Sequence, residues 1–353
     1  MEQKDQFTLG IDLGGTSIRV GLYDAGMRLR DSRHLPTRVA AGPQVSVEEM
    51  ANAVRSLLRK ADCDPANVLG VGIGSPGPIN LHSGVLGRLP NLPGWEDFPL
   101  RDALADATRL PVVLESDANA AAIGEWKLGA GREARIDSMA MITLGTGVGS
   151  GLILLGQVWH GMYGMAGEVG HTTVQVDGLL CGCGTRGCLE MYASANGLVR
   201  LARSIADSEQ GSAGLKELCA RGAACTAQAV AALAEGKNDS GAKLAFDRLG
   251  FYLGIGIANL INTLDLPMIV VGGGVASAWP LFSPSMFRAV REFSMVYRLV
   301  EPTQWETQET NRTFIRPAQL GPAAGLLGAG ILPRLKAQAG QSFHAASTPE
   351  MAR

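Results

Sequence analysis

The chain has 353 residues, of which 46% are hydrophobic and 18% are charged, and its formal net charge is -2. A chain of this length exceeds a usual single hydrophobic core, so we expect two domains. The nearly balanced charge gives no support for nucleic-acid binding, which usually shows a basic face.

We expect a cytoplasmic protein without a membrane segment. The first residues include charged Glu2, Lys4 and Asp5, and a glycine-rich turn follows before any long apolar stretch, so no secretory signal is indicated. The uncharged run 138–167 contains glycines that favour a turn-bearing core element over a membrane helix. All six cysteines are expected to be reduced, as is usual in the cytosol.

Two apolar hairpins with glycine turns are predicted about one domain apart. In the first, strands 7–11 and 18–22 enclose the turn 12–16. In the second, strands 139–144 and 152–155 enclose the turn 145–151. Two such units indicate a duplicated architecture.

Helical and strand patterns alternate around these hairpins. The other predicted elements are helix 45–60, strands 68–73 and 112–115, helix 249–264, strand 268–271 and helix 323–335. This alternation indicates an α/β fold. In such sheets ligands bind beyond the carboxyl ends of the strands, where Ser75, Asp117 and the glycine turns would lie. A frayed tail is expected from residue 337 onward.

The two glycine turns have the composition of phosphate-binding loops. Glycine lets backbone N–H groups approach a phosphate closely, and a Thr hydroxyl adds one more donor. Asp12, just ahead of the first turn, could hold Mg²⁺ together with phosphate oxygens. Hairpin geometry alone would explain either turn, but the pair, together with the run 272–274, favours phosphate binding.

Asp117 ends a predicted strand and begins an alanine-rich segment, so it is either a helix N-cap or a general base at the mouth of a cleft. The cap is the simpler interpretation of this residue alone. Phosphoryl transfer to an alcohol, however, needs positioning, charge neutralisation and one carboxylate that accepts the hydroxyl proton. An aspartate between phosphate turns and hydroxyl-binding residues fits that need.

A cysteine-rich loop is the most specific motif of the chain. Cys181, Cys183 and Cys188 have the spacing C-x-C-x4-C, and His171 lies ten residues upstream of the first of them. Three thiolates and one imidazole form the ligand set of a closed tetrahedral zinc site, whereas a catalytic zinc keeps one position open. The motif therefore predicts a structural zinc ion.

Polar side chains around this loop suit a polyol ligand. Glu168 and Glu190 flank the zinc ligands and could bind sugar hydroxyl groups. His171 could bind zinc through one ring nitrogen and a ligand through the other, or serve the zinc alone. Asn91 is either a plain turn residue or a carboxamide that pairs with a hydroxyl group.

These motifs together resemble those of the ROK family (repressor, open reading frame, kinase), which contains bacterial sugar kinases and repressors. The resemblance runs from Gly10 to about Gly330. The matching segments are GIDLGGTSIRVGL, LPNLPGW, SDANAAAIGE, LGTGVGSG, AGEVGH, CGCGTRGCLE and IVVGGGVA. The resemblance implies the fold of actin and hexokinase, with two α/β domains and the active site in the cleft between them. It also implies a kinase that uses ATP and Mg²⁺ to phosphorylate the 6-hydroxyl group of glucose or a related hexose.

The resemblance also assigns a role to each motif residue. Asp117 would be the general base. The sugar contacts would be Asn91, Asp117, Glu168, His171 and Glu190. The zinc ligands would be His171, Cys181, Cys183 and Cys188. The phosphates and Mg²⁺ would meet Asp12, Gly14, Gly15, Thr16, Thr146 and Gly147, and the adenosine would meet Gly273 and Gly274.

The resemblance further implies how the chain is divided. Residues 1–118 would form a small domain, completed by a C-terminal helix at about 320–336, and residues 119–319 a large domain that carries the zinc loop. The family also implies a homodimer, sometimes a tetramer. We expect the domains to close over hexose and Mg-ATP, with proton removal from O6 by Asp117 and in-line phosphoryl transfer.

One position departs from the family pattern. Ser116 stands where many family glucokinases have Asn immediately before the catalytic Asp, and a changed hydrogen bond in a polar pocket alters sugar preference. The segments NLPGW, GEVGH and CGCGTRGCLE nevertheless favour glucose. The alternative acceptors are fructose, mannose, N-acetylmannosamine and N-acetylglucosamine, and the alternative donor is polyphosphate.

Two other classes of protein are disfavoured. A repressor of this family carries a helix-turn-helix ahead of the first phosphate motif, and here that motif begins at Gly10. A non-catalytic sugar-sensing protein would not need the intact Asp117 and the two intact glycine turns. We therefore expect hexose and ATP as partners, with neither nucleic acid nor membrane.

Overall fold

The structure is a computed structural model that describes residues 6–89, 92–303 and 312–340. Its strands are β1 (Phe7–Leu13), β2 (Ser17–Tyr23), β3 (Leu29–Pro36), β4 (Val68–Ser75), β5 (Ile79–Asn80), β6 (Val85–Leu86), β7 (Val112–Ser116), β8 (Met139–Leu144), β9 (Val148–Leu154), β10 (Gln157–Val158), β11 (Met268–Gly272) and β12 (Phe314–Pro317). Its helices are α1 (Pro43–Lys60), α2 (Leu100–Thr108), α3 (Asp117–Leu128), α4 (Ala130–Ala134), α5 (Glu190–Ala193), α6 (Ala195–Ala206), α7 (Ala213–Ala220), α8 (Ala227–Gly236), α9 (Ser240–Leu264), α10 (Trp279–Phe293), α11 (Met295–Val300) and α12 (Ala324–Gln338).

The chain forms two compact units, with residues 1–124 and 323–353 in unit 1 and residues 125–322 in unit 2. The divisions thus fall after residues 124 and 322, whereas the sequence placed them after 118 and 319. Local contacts explain why the first division falls after Gly124. Gly124 packs against the Ala324 carbonyl of unit 1, but the next side chain, Glu125, accepts backbone hydrogen bonds from Gln319 and Leu320 of unit 2.

Unit 1 is built on a five-stranded sheet in the order β3-β2-β1-β4-β7. The β1-β2-β3 meander is antiparallel, and β4 and β7 add in parallel to β1. The predicted first hairpin is confirmed. Helix α1 begins with a proline in its first turn and buries Val47, Met50, Val54 and Leu57 at the three- and four-residue spacing of an amphipathic helix.

Helix α12 returns from the far end of the chain to pack on β1 and β4. The approach is close enough that a Cβ on Gly10 would lie 2.5 Å from the Leu326 carbonyl oxygen, and one on Gly72 would overlap the Ala329 carbonyl. The predicted final helix is therefore confirmed, and it runs to Gln338 instead of residue 335. Of the predicted tail, residues 341–353 lie outside the described residues.

Unit 2 repeats the plan of unit 1 with a sheet in the order β10-β9-β8-β11-β12. An antiparallel meander is again extended by two parallel strands, so the predicted duplication is confirmed. The glycine turn is shorter than expected, because β9 begins at Val148, opposite Leu144. The strand is buried almost throughout, from Ser150 to Ile153 without a break, and it includes Gly149 and Gly151.

Helix α9 is the long core helix of unit 2. It begins at Ser240, nine residues before the predicted start at 249, because the Asp239 side chain accepts a hydrogen bond from the Ala242 N–H as an N-cap. Among the described residues α9 alone is long and apolar enough to cross a bilayer, but 56% of its apolar window is buried inside the protein. Its glycines at 250 and 254 let α10 pack closely against it.

Candidate functional site

In unit 1 the carboxyl ends of the parallel strands bring the predicted acidic residues to one edge of the sheet. Asp12 of β1 lies opposite Gly74 of β4, and Ser75 of β4 lies opposite Ser116 of β7. Asp117 follows directly as the first residue of α3 and is exposed. The structure therefore brings Asp12 and Asp117 to the edge where ligands bind in such sheets.

The cap of α3 is formed by Ser116. Its Oγ accepts a hydrogen bond from the Asn119 backbone N–H at 3.1 Å, which is the bond of an N-cap residue. Asp117 Oδ1 accepts from the Ala118 N–H at 2.7 Å. Beneath them the buried Glu115 carboxylate accepts from the Ser116 N–H and the Asn119 amide, both at 2.9 Å. This network fixes the orientation of the start of α3.

Asp12 forms an ion pair with Arg19. The two residues are directly opposite each other in the first hairpin, and the Arg19 guanidinium donates to Asp12 Oδ2, with Nε at 3.0 Å. A Cβ on Gly325, at the start of α12, would lie 3.6 Å from the same carboxylate. The carboxylate is thus held in place by a neighbouring strand and lies beside a helix terminus.

The first glycine turn is braced by the end of β3. The Gly14 N–H donates to the Ser17 carbonyl at 2.9 Å, and the Thr37 N–H donates to the Thr16 carbonyl at 3.0 Å. The Thr37 hydroxyl donates to the Gly14 carbonyl at 2.7 Å. These three hydrogen bonds to backbone carbonyl oxygens brace the turn that contains Gly15.

The second glycine turn, residues 145–147, lies beside the predicted adenosine segment. Its Gly145 N–H donates to the Gly147 carbonyl across Thr146 at 3.0 Å. Gly273 has a φ of 88° and approaches β8 so closely that a Cβ on it would lie 2.5 Å from the Leu144 carbonyl. The structure therefore brings Thr146 and Gly147 to the same edge of the unit 2 sheet as Gly273 and Gly274.

The predicted zinc ligands form one cluster. The ligand atoms of His171, Cys181, Cys183 and Cys188 all lie within 4.8 Å of one another, and no other such group occurs in the described parts of the chain. Cys183 Sγ is 3.6 Å from Cys188 Sγ, and Cys181 Sγ is 3.7 Å from His171 Nδ1. Tetrahedral zinc with bonds of about 2.3 Å to sulfur separates its ligands by about 3.8 Å, so this donor set fits zinc.

The thiol groups of the cluster differ in their local environment. Burial, followed by contacts with the neighbouring cysteines, raises the pKa of Cys181 to about 12. Hydrogen bonding from the Thr185 hydroxyl lowers the pKa of Cys183 to about 6, and the same hydroxyl lies 3.0 Å from Cys188 Sγ. The Thr185 hydroxyl thus contacts two of the three predicted sulfur ligands.

Of the three sugar-contact candidates of unit 2, His171 belongs to the His/Cys cluster, and Glu168 and Glu190 lie beside it. Glu168 precedes the short helical turn that carries His171, and its Oε2 lies 4.0 Å from the histidine Nε2, whereas Cys181 Sγ lies 3.7 Å from Nδ1. Glu190 begins α5, and its Oε2 accepts a hydrogen bond from the Val148 N–H at 3.0 Å. Asn91 lies outside the described residues, although Leu89, Leu92 and Trp95 around it are buried.

Several residues of the site were missed by sequence reasoning. Thr37 and Val148 contact predicted site residues because the chain brings distant segments together, whereas Arg19 and Thr185 lie close in sequence to the residues they contact. Both of these had a sequence signal, because a hairpin that pairs Leu13 with Ile18 places Arg19 opposite Asp12, and Thr185 lies between two cysteines of the motif.

Comparison with known proteins agrees with this arrangement. The ROK family model matches residues 8–335. The glucokinase of Halalkalibacterium halodurans is 36% identical over 329 residues, which cover 93% of this chain and 95% of that protein. The ROK hexokinase structure from Thermus thermophilus has a TM-score of 0.75 at 33% identity and covers 95% of this chain and 100% of that chain. The structure of a ROK family glucokinase from Streptomyces griseus in complex with glucose and AMPPNP has a TM-score of 0.74 at 33% identity and covers 93% and 99%.

Both structural neighbours have the actin/hexokinase-like ATPase fold, so the predicted α/β fold class is confirmed. The match covers both sheets, both glycine turns and the cysteine-rich loop. The chain belongs to the ROK family.

Proposed function

We propose that this protein is a glucokinase that transfers the γ-phosphoryl group of ATP to the 6-hydroxyl group of glucose, with Asp117 as general base. The observation that carries the proposal is the edge of the unit 1 sheet, where the exposed Asp117 follows β7 and Asp12 with its glycine turn ends β1. The full-length similarity to glucokinases, one of them bound to glucose and AMPPNP, supports the same assignment.

The proposed chemistry assigns proton acceptance to Asp117. Its carboxylate takes the O6 proton as the oxygen attacks the γ-phosphorus, which is the role a single carboxylate has in phosphoryl transfer. At the first position of α3 its Oδ1 accepts a hydrogen bond from the Ala118 backbone N–H, which helps to orient the carboxylate.

The two glycine turns would hold the polyphosphate through backbone N–H groups. Gly14, Gly15 and Thr16 would act in one turn and Thr146 with Gly147 in the other, and Gly273 with Gly274 would contact the adenosine. Asp12 would hold Mg²⁺, which neutralises charge on the phosphate oxygens when it is bound.

The cysteine cluster would bind a structural zinc ion that fixes the sugar-binding loop. His171, Cys181, Cys183 and Cys188 would be its ligands, and the separations between their donor atoms support this. Glucose hydroxyl groups would then meet Glu168, His171 and Glu190, with Asn91 and Asp117 as further contacts. The protein would be cytoplasmic, as is usual for such enzymes, and a homodimer.

The proposal is tested by an ATP-consumption assay with Mg²⁺ against glucose, fructose, mannose, N-acetylmannosamine and N-acetylglucosamine, with zinc content measured on the same protein. We expect the highest kcat/KM with glucose. A higher kcat/KM for another sugar would identify that sugar as the substrate and leave the proposed mechanism unchanged. Turnover with polyphosphate but not with ATP would identify polyphosphate as the phosphoryl donor. If zinc-replete protein turned over no combination of sugar and phosphoryl donor, the kinase proposal would be rejected in favour of a sugar-sensing protein.

A further inference from the structure

The carboxylate of Glu190 is bound to the second phosphate turn. Its Oε2 accepts a hydrogen bond from the Val148 backbone N–H at 3.0 Å, although 42 residues separate the two in sequence. Val148 is the residue directly after the turn 145–147. A hydrogen bond between a charged acceptor and a backbone N–H is stronger than a neutral one, so Glu190 is well suited to hold this end of the turn.

The other end of the turn is held by the same segment of chain. The Ala195 N–H donates to the Gly145 carbonyl at 2.8 Å. Between the two anchor points, the Ser194 hydroxyl donates to the Glu190 carbonyl at 2.7 Å and accepts from the Gly197 N–H at 2.9 Å. Residues 190–195 therefore clamp the turn at both ends.

The glycine at position 147 is explained by Glu190. Gly147 does not have a positive φ, so its backbone conformation would accept alanine. A Cβ at this position would, however, overlap Glu190 Oε2. By contrast, a Cβ on Gly145 of the same turn would meet nothing within 4 Å. The turn is thus fitted to the carboxylate at one position only.

We propose that Glu190 is a positioning residue for nucleotide binding, in addition to any contact it makes with the sugar. Its Oε2 sets the second phosphate turn through Val148, and its Oε1, which lies 3.9 Å from Cys181 Sγ, would meet the sugar hydroxyl group. Sugar bound at Oε1 then fixes the carboxylate, so glucose and nucleotide bind with positive coupling. This inference rests on the proposed glucokinase function.

The test measures nucleotide affinity without catalysis. Binding of AMPPNP is measured by calorimetry, with and without glucose, for the wild type, Glu190→Ala and Glu190→Gln, with zinc content as a check on the loop. Glu190→Ala is expected to weaken AMPPNP binding about tenfold in the absence of sugar, because a hydrogen bond to a charged group is lost. Glu190→Gln keeps an acceptor oxygen and is expected to restore most of that affinity.

Two outcomes separate this inference from the function on which it rests. If wild-type protein turns over glucose and both variants keep wild-type AMPPNP affinity while losing glucose affinity, Glu190 is a sugar contact only and the inference is wrong. If wild-type protein binds neither glucose nor AMPPNP, the proposed function itself fails.

A double-mutant cycle keeps the test valid if Glu190→Ala also loosens the zinc loop. Gly147→Ala is expected to weaken AMPPNP binding in the wild-type background and to have a much smaller effect in the Glu190→Ala background, where the methyl group has room. Gly145→Ala is the matched control and should show no such dependence on Glu190. Equal effects of Gly147→Ala in both backgrounds would overturn the inference.

Discussion

The Ser116 side-chain oxygen accepts a hydrogen bond from the Asn119 backbone N–H at 3.1 Å. Ser116 is therefore the residue that caps α3, and the neighbouring Asp117 is the first residue of the helix. Capping of α3 and the proposed acceptance of the O6 proton thus fall to two adjacent side chains, Ser116 and Asp117. Substitutions at the two positions should consequently have different effects.

Replacement of Asp117 by Asn should remove most of kcat without unfolding the protein. The amide cannot accept the O6 proton, and loss of a general base lowers kcat by about 10²–10⁴-fold. Glucose affinity should change only a few-fold, since the amide still forms hydrogen bonds. Steady-state kinetics and glucose titration measure the two quantities. Near-normal turnover would show that Asp117 is not the base.

Replacement of Ser116 by Ala should destabilise the protein by about 1 kcal/mol, because the first turn of α3 loses its side-chain acceptor. Asn is also a good N-cap residue, so Ser116→Asn should retain the wild-type free energy of unfolding. Urea denaturation compares the three proteins. The assignment of the cap to Ser116 would be refuted by an equal loss in both variants.

The same Ser116→Asn variant tests the sugar preference. It restores the residue common in family glucokinases, whose carboxamide can both donate and accept hydrogen bonds. If position 116 limits glucose recognition, kcat/KM for glucose should rise relative to mannose. An unchanged ratio would assign the serine to the helix cap alone.

Replacement of Cys183 by Ser should remove zinc and weaken glucose binding. Metal binding and folding of such a loop are coupled, so loss of one thiolate ligand lowers zinc content and thermal stability together. Elemental analysis, thermal unfolding and glucose titration measure the effects. Cys63→Ser is the control, because Cys63 lies outside the cluster. Full zinc content and glucose affinity in Cys183→Ser would disprove the structural-zinc assignment.

Replacement of Glu125 by Ala should be strongly destabilising. This buried carboxylate accepts hydrogen bonds from the backbone N–H groups of Ala130, Gln319 and Leu320, at 3.1, 3.2 and 2.7 Å. Each N–H left without a partner costs roughly 1–3 kcal/mol. Glu133→Gln is the control, because Glu133 lies on the surface and pairs only with the Gln319 side chain among its described contacts. A similar free energy of unfolding for both variants would contradict this account.

The sequence identified the residues whose chemistry is local. Spacing alone specified the His171, Cys181, Cys183 and Cys188 cluster, because four donors on a short glycine-rich loop can meet with little help from the rest of the fold. Apolar runs separated by glycine turns specified both hairpins and their duplication, since strand pairing across a short turn is a local event. The end of the second turn was misplaced, because Gly149 and Gly151 are tolerated within a buried strand.

Only the tertiary structure decided how these local pieces support one another. The ion pair of Asp12 with Arg19 depends on hairpin register, and the bond of Glu190 to Val148 depends on the path of 42 residues between them. The start of α9 and the division at Gly124 were likewise set by side-chain contacts that no periodicity contains. The physical reason is that sequence patterns report which face of an element is apolar, whereas positioning contacts are single hydrogen bonds between segments distant in the chain.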